Sequence, residues 1–334
     1  MLSGGNLPLA LSEFRASCEA EGAALEMVED FGKLLRIRGD LARAVRSARR
    51  CSFSRCVCRE VARLPGSPDE APKLERDRLG IKPGETFMVR ALRIGSAGKP
   101  SDIPAWERVL GNRIRGETGA RVDVKNPSKE FQLVATPSGS FLGEVAWRAG
   151  KGRFIWRSPQ KRPFFYAATL TPELAACMLN LARVRKGQIV LDPFCGAGAV
   201  LIECSLMGAL PIGVDIAKRM VKGAAKNLEW AGCTWFGLAV GDARKLPIRQ
   251  VDAVVTDPPY GKLSSTRGER PEALFSALLV AASDVLRSKG FLVTLSPMKV
   301  GIEEMAGKAG LECVESHPIY VHKRMTRELA VFRS

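Results

Sequence analysis

From Thr171 to the last residue, apolar runs of strand length alternate with segments of helical period, and four of the runs close on an aspartate. They read "QIVLD", "PIGVD", "FGLAVGD" and "VDAVVTD". Strands this continuously apolar need both faces covered, so the alternation specifies an α/β fold with a parallel, doubly wound sheet. "TPELAACMLNLARV" opens the series as a helix, with Thr171 as N-cap, Pro172 in the first helical position and Glu173 in the first turn. Further helices are expected over "AVLIECSLMGA", 217–231 and 271–288, then a strand "FLVTLSP" and a closing strand pair, "LECVESHPIYVH" and "ELAVFRS". Ligands of such sheets bind beyond the carboxyl ends of the strands. Asp192, Asp215, Asp242 and Asp257 therefore belong to one edge and one site.

At 334 residues the chain exceeds what one ordinary core serves. Upstream of the alternating part, 9–21 and 40–50 read as helices around strand-like pieces in 25–38. Residues 64–84, rich in Pro, Gly and charge, read as a linker with a short helix. A second α+β unit over 81–150 follows, with the strand "ETFMVRALRI", a helix Pro104 to Glu117 and three strands, "ARVDVKN", "EFQLVAT" and "SFLGEVAW". The expected division is 1–62, 63–155 and 156–334.

The formal net charge is +16, with 28 Lys and Arg against 19 Asp and Glu up to residue 160 and 23 against 16 after it. Both halves are basic, which points to a polyanionic partner. No apolar run approaches the roughly 18 residues of a membrane span, and "MLSGGNLPLA" lacks a basic start, so a soluble cytoplasmic protein with no membrane partner is expected. Nine scattered cysteines do not form a disulfide framework. "CSFSRCVC", with no histidine nearby, reads as buried thiols rather than a metal site.

The first aspartate opens "DPFCGAGAV", where Gly196 and Gly198 let backbone approach a ligand at a helix start. Asp215, 23 residues after Asp192, suits ribose hydroxyls. That pair would serve a nicotinamide cofactor equally well. Two features decide otherwise: Leu201 stands where the dinucleotide fingerprint has its third glycine, and the fourth strand ends in Asp-Pro-Pro-Tyr, Asp257 to Tyr260. Each proline fixes its own φ and holds the residue before it extended. Such a corner aims the Asp257 carboxylate and the Pro258 carbonyl at the two N–H groups of an exocyclic amine, with Tyr260 to stack on the base. The sulfonium of S-adenosylmethionine is already a strong electrophile, so neither metal nor covalent nucleophile is needed. The only histidines are His317 and His322. The plainer alternative, aspartates that merely cap the following helices, stays open residue by residue, above all for Asp242 in "GDARKLP".

"VLDPFCGAGAVLIE", "GVDI", "GDARKLP" and "TDPPYGKLSSTRGE" together resemble the archaeal tRNA guanosine N2-methyltransferases that modify position 10. The likeness continues upstream through "RPFFYAATLTPELAACMLNLA" and "ERVLGNRIRGETGARVDVKNPSKEFQLV". It implies a Rossmann-like methyltransferase domain preceded by a ferredoxin-like piece and a THUMP RNA-binding domain. The cofactor implied is S-adenosylmethionine, with Asp192, Gly196 and Gly198 around its methionine part, Asp215 at the ribose and Asp242 at the adenine. Thr171, Phe194, Ile216, Ala243 and Asp257 complete that pocket. Asp257, Pro258 and Tyr260 are implied at the target amine, and Lys262, Arg267 and Arg270 at phosphates. Ala197 and Tyr166-Ala167 depart from the family's threonine and histidine-proline. The expected product is N2-methylguanosine or its dimethyl form in tRNA. Another tRNA or ribosomal guanosine, and a catalytically silent RNA-binding protein, are the rival readings. DNA is not expected as substrate, and no protein partner is indicated.

Overall fold

The computed structural model describes residues 1–334 except 4, 66, 69–71, 96–101, 260–269 and 323–324. It divides into two compact units, which interleave in sequence: Met1–Ser3, Ala24–Arg49 and Ser54–Ala149 form the first, and Gly4–Ala23, Arg50–Phe53 and Gly150–Ser334 the second.

In the first unit, β1 (Glu26–Asp30) and β2 (Leu35–Arg38) pair antiparallel and α2 (Leu41–Arg50) follows. A five-stranded sheet has the order β3 (Cys56–Leu64), β7 (Gly139–Arg148), β6 (Lys129–Thr136), β4 (Thr86–Arg93), β5 (Arg121–Val122). The helix α4 (Asp102–Thr118) presents Trp106, Leu110 and Ile114, spaced four apart, to Phe87, Phe131, Leu133 and Leu142. All seven side chains are buried, and they form this unit's core.

Two expectations change here. The strand expected over "ARVDVKN" stops at Val122, because the Asp123 carboxylate accepts the N–H groups of Lys125 and Asn126 and turns the chain. The strand β3, read from sequence partly as a cysteine cluster, pairs antiparallel with β7. The boundary expected at 62/63 thus falls inside a strand of this sheet. Cys56 and Cys58 lie on β3 with their sulfurs 4.0 Å apart, whereas Cys51 belongs to the second unit, its thiol 3.2 Å from the Ser17 hydroxyl.

In the second unit the chain runs α5 (Pro172–Leu181), β8 (Ile189–Asp192), α6 (Ala199–Leu206), β9 (Leu210–Asp215), α7 (Lys218–Trp230), β10 (Gly237–Val240) and β11 (Val251–Thr256). Then come α8 (Pro271–Val285), β12 (Leu286–Pro297), α9 (Ile302–Lys308), β13 (Glu312–His322) and β14 (Met325–Arg333). The sheet order is β10-β9-β8-β11-β12-β14-β13. Its first five strands are parallel, and β14 enters antiparallel between β12 and β13. Consecutive strand residues point to opposite faces. Val190, Val255 and Val293 pack with α5 and α6, while Leu191, Val254 and Leu292 pack with α8 and α9. Because β9 and β10 lie on one side of β8 and β11 and β12 on the other, the order reverses between β8 and β11. That reversal opens a crevice at the carboxyl ends of these strands.

The helix α1 (Leu7–Ala20), expected to belong to an amino-terminal domain, is part of this second unit. Leu9 and Ala16 lie in the core that α5 fills. Glu13, fully buried, accepts the N–H groups of Ser52 and Phe53 at 2.6 and 2.9 Å and one from the Asn180 side chain at 2.8 Å. Burial raises its carboxyl pKa, and these donors work against the rise. Arg50 donates to the Asn180 oxygen at 2.8 Å.

Candidate functional site

The loop after β8 needs its glycines. Gly196 and Gly198 have φ of 51° and 82°, the left-handed region that favours glycine, and a Cβ on Gly198 would stand 3.3 Å from the Ala224 methyl of α7. Asn227, also on α7, holds this loop from behind. Its amide donates to the Ala197 carbonyl at 2.9 Å and makes a two-way pair with the Phe164 backbone.

Asp192 is 3% exposed. Its Oδ1 accepts the Thr256 hydroxyl at 2.6 Å and the Phe194 N–H at 3.1 Å, so it links the ends of β8 and β11. Burial pushes its carboxyl up to about 7; the two hydrogen bonds oppose the rise, and the charges of Asp215 and Asp257 add to it. Asp192 therefore lies close enough to Asp215 and to Asp257 to feel their charges. Asp215 accepts the Gly196 N–H at 3.0 Å and the Ala217 N–H at 2.8 Å, tying the glycine loop to the turn after β9. Burial raises its pKa as well. Beside it Ile216 is 44% exposed, an apolar side chain presented at the end of β9.

Asp242 behaves differently. Its carboxylate is engaged by the guanidinium of Arg244, at 2.5 to 3.0 Å, and by the Arg244 N–H, which together hold it below the usual carboxylate range. This is a local turn in which the acid already has a partner, and no helix follows it to be capped. Ala243 between them is buried. Thr171 caps α5, its hydroxyl accepting the Leu174 N–H at 3.3 Å, and Phe194 is half-buried.

At the end of β11, Asp257 is half-buried and Pro258 is buried. Arg327 of β14 places Nη1 3.2 and 3.5 Å from the two Asp257 oxygens. Arg270 is exposed at the N-cap of α8. Tyr260, Lys262 and Arg267 lie outside the described residues. Thr256, Asn227 and Arg327 had no motif to single them out. Only Thr256, next to the Asp-Pro-Pro-Tyr corner, could have been suspected.

A family model described as an RMKL-like methyltransferase domain matches residues 159–327, from the segment before α5 to Arg327 itself. The chain belongs to that methyltransferase family. Among curated proteins, the methyltransferase is 37% identical over 248 residues to the tRNA (guanine(10)-N2)-dimethyltransferase of Methanothermobacter thermautotrophicus, covering 74% of this chain and 73% of the relative. It is 32% identical over 268 residues to the protein of the same name from Methanocaldococcus jannaschii, covering 77% and 73%. Among solved structures, TrmN from Thermus thermophilus aligns over 97% of this chain and 95% of its own, with a TM-score of 0.56 at 23% identity, a likeness of fold.

S-adenosylmethionine is the cofactor of this methyltransferase, and the site's residues fit it. The buried Asp192 carboxyl, with its Oδ1 engaged and its pKa raised chiefly by burial, is matched by an ammonium. Exposed Ile216 offers an apolar surface to a flat base. Among the described residues, no helix is long and apolar enough to cross a membrane.

Proposed function

We propose that this methyltransferase modifies the exocyclic N2 of a guanosine in tRNA, at position 10, forming N2-methylguanosine and then the dimethyl product. The observation that carries the reading is the corner after β11. The Asp257 carboxylate and Pro258 carbonyl stand at the switch-point edge, with the Asp192 carboxylate at the end of the adjoining β8 and the Asp215 carboxylate at the end of β9 beyond it. The names of the two curated relatives support the choice of RNA, atom and position.

Asp192 would take the ammonium of the cofactor and Asp215 its ribose hydroxyls, with Gly196, Gly198, Thr171 and Phe194 shaping the pocket and Ile216 and Ala243 flanking the adenine. Asp242 can reach the adenine only by sharing or releasing Arg244. When bound, S-adenosylmethionine supplies a methyl group on a sulfonium. The amine of guanine has its lone pair delocalised into the ring. Asp257 and Pro258 accept its two N–H groups and turn the nitrogen toward the methyl, favouring the tetrahedral geometry of the transition state. As the nitrogen becomes cationic, one proton leaves, and the Asp257 carboxylate is placed to take it. Tyr260 would stack on the base, while Lys262, Arg267 and Arg270 would meet phosphates. We assign RNA capture to a THUMP domain in the first unit, whose β-sheet and α4 form their own core. The ferredoxin-like piece expected beside it would comprise β1, β2 and α2.

Incubating unmodified tRNA transcripts with labelled cofactor and mapping the product by nuclease digestion tests the position. Label at guanosine 10 is expected. Label confined to another guanosine would replace the site assignment, and cofactor binding with no transfer to any transcript would favour the silent RNA-binding reading.

The role of Asp192 has its own signature. If its carboxylate takes an ammonium, the site must be ionised to bind. S-adenosylhomocysteine affinity should then fall nearly tenfold per pH unit below about 7, with proton release on binding near pH 6.5. Asp192→Asn should bind weakly at every pH and lose the slope. In the ligand-free protein the folded state holds this proton longer than the unfolded chain does, so Asp192 makes stability decline as pH rises from 3.8 toward about 7. Calorimetric titration in buffers of different ionisation enthalpy reads the proton. A flat affinity from pH 5.5 to 8 would remove Asp192 from the ammonium.

A further inference from the structure

Asp257 has an arrangement that the reading above does not use. Three carboxylates stand at the ends of β8, β9 and β11, and the charges of Asp215 and Asp257 add to the rise that burial gives Asp192. Asp257 must nonetheless be ionised to accept N–H groups from an amine. Arg327 brings a cation to this group, its Nη1 lying 3.2 and 3.5 Å from the two Asp257 oxygens. It arrives from β14, where Arg327 pairs with Pro297, the last residue of β12. Its guanidinium spans the end of β12 to reach the neighbouring strand's carboxylate. Both partners are largely buried, with side-chain exposures of 22% and 17%, so the pair is shielded from salt and its geometry is restrained by packing.

We propose that Arg327 is a positioning residue for methyl transfer: by bridging both oxygens of Asp257 it holds that carboxylate ionised and in one orientation against the charges of Asp192 and Asp215. A carboxylate has about four lone-pair directions. Nη1, shared between the two oxygens, takes up at most two of them. The guanidinium therefore supports the acceptor without displacing the substrate. Lysine keeps the charge but not the planar fork, and a neutral side chain keeps neither. The inference rests on the reading of Asp257 as the group that holds the amine.

Steady-state kinetics and pH profiles of Arg327→Lys and Arg327→Met on a tRNA transcript test it, beside Asp257→Asn. Arg327→Met should lower kcat on the order of 100-fold at pH 7, the loss that about 1 Å of misplacement brings, while the KM values for tRNA and cofactor change little. Its residual activity should also fall at higher pH than the wild type does on acidification. With that positive charge gone, the charges of Asp192 and Asp215 favour the protonated form of Asp257. Arg327→Lys should keep the wild-type acidic limb and recover a part of kcat. Arg327→Met with wild-type kcat and an unmoved acidic limb, while Asp257→Asn is inactive, overturns the role of Arg327 alone. An active Asp257→Asn overturns the amine-holding role of Asp257 instead. A uniform loss in both Arg327 variants, with unchanged pH limbs and lowered melting temperatures, would make the pair structural only.

Discussion

Replacing Asp257 by alanine is expected to reduce methyl transfer at least about 1,000-fold, at the upper end of what removing one preorganised polar group costs. The reason lies in the substrate. An aromatic amine is planar because its lone pair is shared with the ring, and the transition state needs that pair on nitrogen, directed at the methyl carbon. A carboxylate accepting one N–H stabilises the cationic, tetrahedral nitrogen more than the planar one, so its contribution appears in kcat rather than in substrate affinity. Binding of tRNA should change less than about twofold, since phosphate contacts supply most nucleic-acid affinity. Filter binding and single-turnover transfer, read beside the melting temperature, check both halves. Equal loss of binding and transfer, with a lower melting temperature, would mean that the Asp257 and Arg327 pair only holds β11 to β14. Asp257→Asn keeps one neutral oxygen but loses the charge and replaces the other acceptor by an NH2 donor, so it should be as inactive as the alanine variant.

Inosine in place of the target guanosine is expected to reduce methyl acceptance to background with little change in affinity. The two nucleosides differ by the N2 amine alone, so the experiment removes the acceptor atom and leaves shape, phosphates and 2′-hydroxyls as they were. Methyl transfer to inosine at that nucleotide would mean that a ring nitrogen or a ribose oxygen is the acceptor. The amine-holding mechanism of Asp257 and Pro258 would then be abandoned. A transcript carrying N2-methylguanosine at the same position examines the second methyl. One N–H remains for either acceptor, so a slower second transfer is expected, detected as N2,N2-dimethylguanosine in the digest.

Local pattern determined much of the second unit. The apolar runs, the helical periods between them and the aspartates closing β8, β9 and β11 are properties of short segments. A parallel sheet then gathers its strand ends on one edge whatever lies between them. Gly196 and Gly198 were legible for the same reason: a strand turning directly into a helix demands left-handed backbone that few other residues adopt. Asp242 could have been read either way, since the arginine that engages it stands only two residues on.

What the tertiary structure decided are pairings between distant segments. Alternation marks a residue as strand but does not name its neighbour, so the irregular β3 was missed although it pairs with β7 along its length. The helix α1 shows an apolar face but not where that face goes. It fills a core with α5 and places Glu13 on the Asn180 amide, 167 residues away. Arg327 is the clearest case. Nothing in "RMTRELAVFRS" distinguishes it from the other arginines of this basic chain. It reaches a carboxylate 70 residues earlier only because β14 inserts antiparallel beside β12, which sets Arg327 opposite Pro297 at the edge where β11 also ends. Strand order is chosen by the burial of whole faces, a sum over the entire sheet. The contacts it creates at the sheet edge have no trace in any one segment of the sequence.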